Sequence, residues 1–195
     1  MGLLHIAPWA LQNLGHALLR RGELQEARAA VARALEAGTA QGDARLAGGS
    51  RIYLAMIAAA AGDAEASRRE AATAAEELSP VPSMRAGALA ALGRSLLALR
   101  DPARALASVR EAMSLLESLG SAGMGELEAF VRLALVEALV AAGDREEAAS
   151  ALATARERLM VRAARILDHR LRESFLSRVP ENARTLALAD STHPG

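Results

Sequence analysis

The chain has 195 residues, of which 52% are apolar, 24% charged and 2% aromatic, and its 23 basic residues balance its 23 acidic ones. A net charge of zero supplies no field to draw the chain to nucleic acid or to an acidic membrane surface, and the absence of cysteine removes disulfides, thiolate metal ligands and a thiol nucleophile. Alanine (48) and leucine (31) dominate the apolar set, so large side chains are sparse and a core has to be built by bringing helices close together.

The spacing predicts an opening helix with Pro8 in its first turn, running to about Arg21, with Trp9, Leu11, Leu14, Leu18 and Leu19 as its apolar residues. Gly22 turns the chain and Glu23 to Ala37 returns it. Gly38 to Gly42 closes that hairpin, and Asp43 opens the next helix as an N-cap. Gly48 and Gly49 weaken this second outgoing helix by about 1 kcal/mol each relative to alanine, a cost that points to close packing or a bend. Asp63, Asp101 and Asp144 each follow a turn residue and read as caps of return helices. Pro102 takes a first helical position, and Glu147 stands at capping-box spacing from Asp144. Residues 79–83 and 120–125, rich in Ser, Pro and Gly, read as links between hairpins. Beyond Ala155 the helix is expected to run on through Leu159, Ala163, Ile166 and Leu167 to Phe175 as an arginine-rich cover. Pro180 then starts a short final helix, and Asp190 to Gly195 is expected to fray.

Setting Gly22, Gly62 and Gly143 against Arg100 brings the same residue types into register four times, at intervals of 40, 38 and 43 residues. Five positions after the turn stand Ala27, Ser67, Ala105 and Ala148. Nine after it stand Val31, Ala71, Val109 and Leu152, and twelve after it Ala34, Ala74, Ala112 and Ala155. Before the turn stand Leu14-Gly15, Leu54-Ala55, Leu92-Gly93 and Leu135-Val136, a large residue beside a small one, and Leu92 is expected in the core.

The order Leu11, Leu14-Gly15, Leu18, Ala27, Val31 and Ala34 resembles the tetratricopeptide repeat (TPR), with leucines in the usual Trp and Tyr positions and no closing proline. The third copy matches through Leu89, Leu92-Gly93, Leu96, Ala105, Val109 and Ala112. The second and fourth match more loosely, with Arg51 and Arg132 in the Trp position. The longer spacing, and the stretch from Arg172 to Ala189, resemble the helical arrays that end large bacterial signalling ATPases, serine/threonine kinases and transcription activators related to the maltose-regulon activator.

The resemblance implies an all-α fold, a right-handed superhelix (α-solenoid) of about four TPR-like hairpins with a C-terminal capping helix over residues 1–179, then a short terminal helix and tail over 180–195. It implies a cytoplasmic, non-catalytic protein–protein interaction module or scaffold in bacterial signalling, binding a peptide or helix in its concave groove. The alternative is the ligand-sensing region of a transcriptional regulator or signalling ATPase. Carried over residue by residue, the groove stripe is Trp9, Gln12, His16 and Arg20, then Ile52 and Met56, then Arg94 and Leu97, then Phe130, Leu133 and Glu137. This stripe lacks the Lys/Asn set with which chaperone-binding TPR domains clamp a C-terminal carboxylate, so an amphipathic helix or an extended peptide with leucine-type anchors suits it better.

No cofactor or metal is expected. His5, His16, His169 and His193 are scattered without a second ligand at metal spacing, and no phosphate loop or nucleophile elbow occurs. No nucleic acid or membrane partner is expected either. Leu3, Leu4 and Ile6 precede the first hairpin without polar cover, so that end is expected to be an open edge, suited to homodimerisation or to docking on a further N-terminal domain.

Overall fold

The computed structural model describes residues 3–120 and 127–191, with side chains from Ile6 onward. Among the described residues there are ten α-helices and no strand: α1 (Leu3–Arg21), α2 (Leu24–Gln41), α3 (Ala44–Ala60), α4 (Ala64–Glu77), α5 (Pro82–Ala98), α6 (Pro102–Leu119), α7 (Leu127–Ala142), α8 (Arg145–Ala164), α9 (His169–Arg178) and α10 (Pro180–Ser191).

One turn, used four times, folds α1 on α2, α3 on α4, α5 on α6 and α7 on α8. Gly22, Gly62 and Gly143 sit at φ of 80°, 82° and 84°, and Arg100, in the matching place, at 62°. The N–H of the following residue reaches back five positions to close the helix, from Glu23 to Leu18 O (3.0 Å), Asp63 to Ala58 O (2.9 Å), Asp101 to Leu96 O (2.9 Å) and Asp144 to Leu139 O (3.1 Å). Three of those four residues then cap the return helix. The carboxylates of Asp63, Asp101 and Asp144 accept the N–H groups of Ala66, Arg104 and Glu147, whereas Glu23 makes no side-chain cap bond. The expected capping box at Asp144 is half formed, because the Glu147 carboxylate pairs across to Arg110 on α6.

The register read from the sequence is the register of the core. All twelve positions at five, nine and twelve residues past the turn are buried, from Ala27 and Val31 at 0% exposure to Leu152 and Ala155 at 5%. Facing them is the small member of each pair before the turn: Gly15, Ala55, Gly93 and Val136 are buried. A Cβ on Gly15 or Gly93 would collide with Cγ2 of Val31 or Val109, so the glycine lets each return helix lie directly on its partner. The expectation that Leu92 belongs to the core is corrected accordingly. Leu92 is half-buried at the margin of the main cluster, and its counterpart Leu14 is 51% exposed.

Between hairpins, α2 packs on α3, α4 on α5 and α6 on α7, while the outgoing helices α1, α3, α5 and α7 also touch in sequence and so line one side together. Gly48 and Gly49 serve close packing, against Leu78 and against Met84 and Gln12 respectively. Arg51, one of the two arginines in the Trp position, is half-buried. Burial works against its charge, but ion pairs to Glu77 (3.0 Å) and Glu70 (2.9 Å) on α4 outweigh it and its pKa is raised. Arg132, the other, pairs at 3.0 Å with the buried Glu128.

Several boundaries differ from expectation. Pro8 lies inside α1 rather than in its first turn, because the helix already begins at Leu3. Helix α2 continues through Gly38 to Gln41. Gly38 is buried, with Ala47 N 2.8 Å from where its Cβ would stand, so it marks a close approach to α3 and Gly42 ends the helix instead. The link after α4 is only residues 78–81; most of the second expected link lies outside the described residues. Helix α8 does not run on to Phe175 but stops at Ala164. Asp168 caps a separate α9 through the Leu171 N–H at 3.0 Å, and Arg172 donates to the freed carbonyl of Ile166 at 2.9 Å. Asp190 and Ser191 remain helical.

The arginine-rich cover is also thinner than expected. No residue of α9 is buried; α9 is held to α8 by contacts such as Arg162 over the Phe175 ring at 5.8 Å. On this side Met160 and Val161 of α8 stay 42% and 48% exposed, as Ile6 is on α1. Apolar side chains are therefore exposed on α8 as well as at Ile6, while the side chains of Leu3 and Leu4, on which the expected open edge also rests, lie outside the described residues. Among the described residues no helix is long and apolar enough to cross a membrane.

Candidate functional site

A cleft of about 490 Å³ opens near the ends of α1, α3 and α5, beside Phe130 in the first described turn of α7. Its floor is small residues: Ala55, Ala59 and Ala60 of α3, Ala91 and Ala98 of α5, and Ala64 at the start of α4. Ala55 and Ala91 are buried by the same close packing as the core, Ala59, Ala60 and Ala98 are exposed, and the shallow side chains leave the space open. Around this floor stand Leu19 and Arg20 from α1, Met56 from α3, Arg94 from α5, Phe130 from α7 and, from the other end of the chain, Pro180 at the head of α10.

Both guanidiniums are fixed by neighbours. Arg20 donates from Nε to His16 Nε2 (3.1 Å) and from Nη1 to Glu181 Oε2 (2.9 Å), and the His16 ring is stacked on Tyr53 with centroids 4.6 Å apart. Arg94 pairs with Glu137 at 3.0 Å and lies over the Phe130 ring at 5.4 Å. The cleft therefore presents two oriented cations, one aromatic ring and a thioether over an apolar base. That set can hold an aliphatic or aromatic group together with an anion.

Of the stripe carried over from the resemblance, the structure brings Arg20, Met56, Arg94 and Phe130 into the cleft, with His16 and Glu137 directly behind the two arginines. It does not bring the rest. Gln12 is 5% exposed and works as a bolt between α1 and α3, donating from Nε2 to Leu46 O (3.0 Å) and Ser50 Oγ (2.9 Å). Ile52 and Leu133, at 3% and 2% exposure, are core residues, and Leu97 packs at the edge of the main cluster. Trp9 is half-buried on α1, away from the cleft lining. The physical reason is that outgoing helices touch one another along this side, so residues of the stripe nearest the contact line are consumed by it. Sequence reasoning missed Leu19, Pro180 and Glu181. Leu19 was visible as an apolar residue one position from Arg20, but nothing local signals that α10 comes back to α1.

Among the described residues no three His, Asp or Glu side chains are grouped to hold a metal ion. Comparison with known families and with curated proteins gives no match to this chain.

Proposed function

We infer that the chain is a TPR-like interaction module, its four hairpins forming a right-handed superhelix whose concave side takes a peptide or helix of a partner protein. The observation that carries this reading is the convergence of Arg20, Met56, Arg94 and Phe130, from α1, α3, α5 and α7, on one apolar cleft. Residues from four outgoing helices meet there because those helices touch side by side, and neighbouring hairpins are what repeat arrays use to build extended binding surfaces. A cytoplasmic bacterial signalling protein of the ATPase, kinase or activator type is the setting that the stretch from Arg172 to Ala189 resembles. No catalytic step is assigned to the cleft.

Selection of a displayed peptide library on the immobilised chain tests the reading. Enriched peptides are expected to compete with one another and to lose binding to Met56→Glu, which places a charge on the cleft wall while leaving helix content unchanged. Equal binding to Met56→Glu and wild type would put the site elsewhere. A second reading, a small-ligand sensor, draws on one number: about 490 Å³ falls in the range of small-molecule pockets, roughly 300–1,000 Å³. Thermal stabilisation by a metabolite mixture, absent in Met56→Glu, together with no enriched peptide, would favour it.

A further inference from the structure

Arg20 and Glu181 are 161 positions apart and their ion pair joins α1 to α10 at 2.9 Å. Yet among the described residues α10 packs on α7, α8 and α9 and on no earlier helix. The pair therefore links two helices whose backbones do not otherwise meet, beside Pro180 of the cleft lining. Resting on the interaction-module reading, we propose that the first turns of α10 form a strap that this pair holds shut over the cleft, and that a partner peptide enters by offering Arg20 a side-chain carboxylate in place of Glu181.

Three observations converge on the strap. First, α10 is built in two halves of opposite chemistry. Its later residues Leu188 and Ala189 belong to an apolar cluster with Val136 of α7 and Leu152 of α8. The buried residues of its first turns are polar instead, namely Glu181, Asn182 and Thr185. An apolar seam anchors, whereas a polar seam exchanges its bonds with water or with another polar group at small net cost.

Second, that polar seam is incompletely satisfied. Asn182 is 1% exposed and donates from Nδ2 to Phe175 O at 2.9 Å, but its Oδ1 is buried without a protein partner among the described residues. A buried acceptor of this kind favours opening of the turn that carries it. The segment leading to it is equally free to tilt, since α9 buries no residue and Val179, between α9 and α10, is extended at φ −81° and ψ 114°.

Third, Arg20 is a prepared donor site for a carboxylate. The His16 contact and the Tyr53 stack behind it fix the guanidinium. Releasing Glu181 leaves an oriented cation facing an apolar cleft, and a charge-assisted bond to a fixed guanidinium is the strongest polar contact this site can offer. A segment with an acidic residue beside an aliphatic one fits both the cation and the alanine floor.

The chain lacks cysteine, so spin labels can be placed at will, on Gln25→Cys and Arg184→Cys, both exposed. Double electron–electron resonance on the full chain is expected to give one narrow distance. Glu181→Gln and Arg20→Gln should each broaden and lengthen it and raise anilinonaphthalene sulfonate fluorescence several-fold. The exchange Arg20→Glu with Glu181→Arg should restore the narrow distance, which separates lost latching from lost folding. A synthetic peptide of residues 178–188, added in excess to the labelled wild type, should lengthen the distance, and its Glu181→Gln counterpart should not. An unchanged distance in both single variants overturns the strap, and equal effects of the two peptides overturn the carboxylate exchange. Neither result bears on peptide recognition by the cleft, which stands or falls with Met56→Glu.

Discussion

Arg100 occupies the backbone position that three glycines fill elsewhere. At φ 62° an L side chain costs roughly 1–2 kcal/mol relative to its right-handed conformation, while glycine brings back about 0.4–1 kcal/mol of unfolded-state freedom. Arg100→Gly is therefore expected to stabilise the chain by about 0.5–1 kcal/mol, read as a rise in the denaturant midpoint at constant slope; a fall would mean that the arginine side chain makes contacts worth more than its strain. Gly93 is the opposite case, a glycine at ordinary helical φ that is required by space rather than by conformation. Gly93→Val pushes a branched side chain into Val109 and should cost about 1–3 kcal/mol. Unfolding at the wild-type midpoint would show that α5 and α6 stand further apart. This pair of residues also explains a misreading. Adjacent positions on a helix differ by about 100° in direction, so a large residue beside a small one does not tell which faces the partner, and leucine draws the eye although the buried residue is glycine.

At the scale of elements, what was legible was what is local. The turn glycines, the aspartate caps and the fivefold, ninefold and twelvefold offsets after each turn depend on hydrogen bonds and packing within one hairpin, and each left a residue type at a fixed spacing. Gln12 was legible as a groove residue only in direction. Its amide lies toward α3, and the nearness of Gly49 that makes room for it belongs to a different hairpin. The end of α8 was misjudged because Ile166 and Leu167 continue the apolar spacing, which hides the interruption that the Asp168 cap imposes. The contribution of α10 to the cleft had no local trace at all, since it depends on how the hairpins pack on one another. Asp168→Ala is expected to weaken the start of α9 by about 0.5–2 kcal/mol, visible as faster amide exchange in α9 with α1 to α6 unaffected. Uniform loss of protection would indicate that α9 folds with the whole array.

For the whole molecule, zero net charge and exposed apolar residues at both ends act in the same direction. Nothing in the long-range field keeps copies apart, and Met160 with Val161 on α8, like Ile6 on α1, remains open to solvent. Static light scattering is expected to show reversible, concentration-dependent association, reduced by Met160→Glu with Val161→Glu. A monomer at high micromolar concentration in the unaltered chain would show that these residues are too dispersed to act as a patch.

The four matching turns have one more effect. From the first residue of α3 and of α5 to its turn the chain uses 18 residues each time, whereas the return helices α2, α4, α6 and α8 hold 18, 14, 18 and 20. The turn side is thus regular where the return side varies in length. Most of the cleft lies on the turn side, among residues that end α1, α3 and α5. A change of length in a return helix can alter the reach of the array while leaving the spacing of those groups in place.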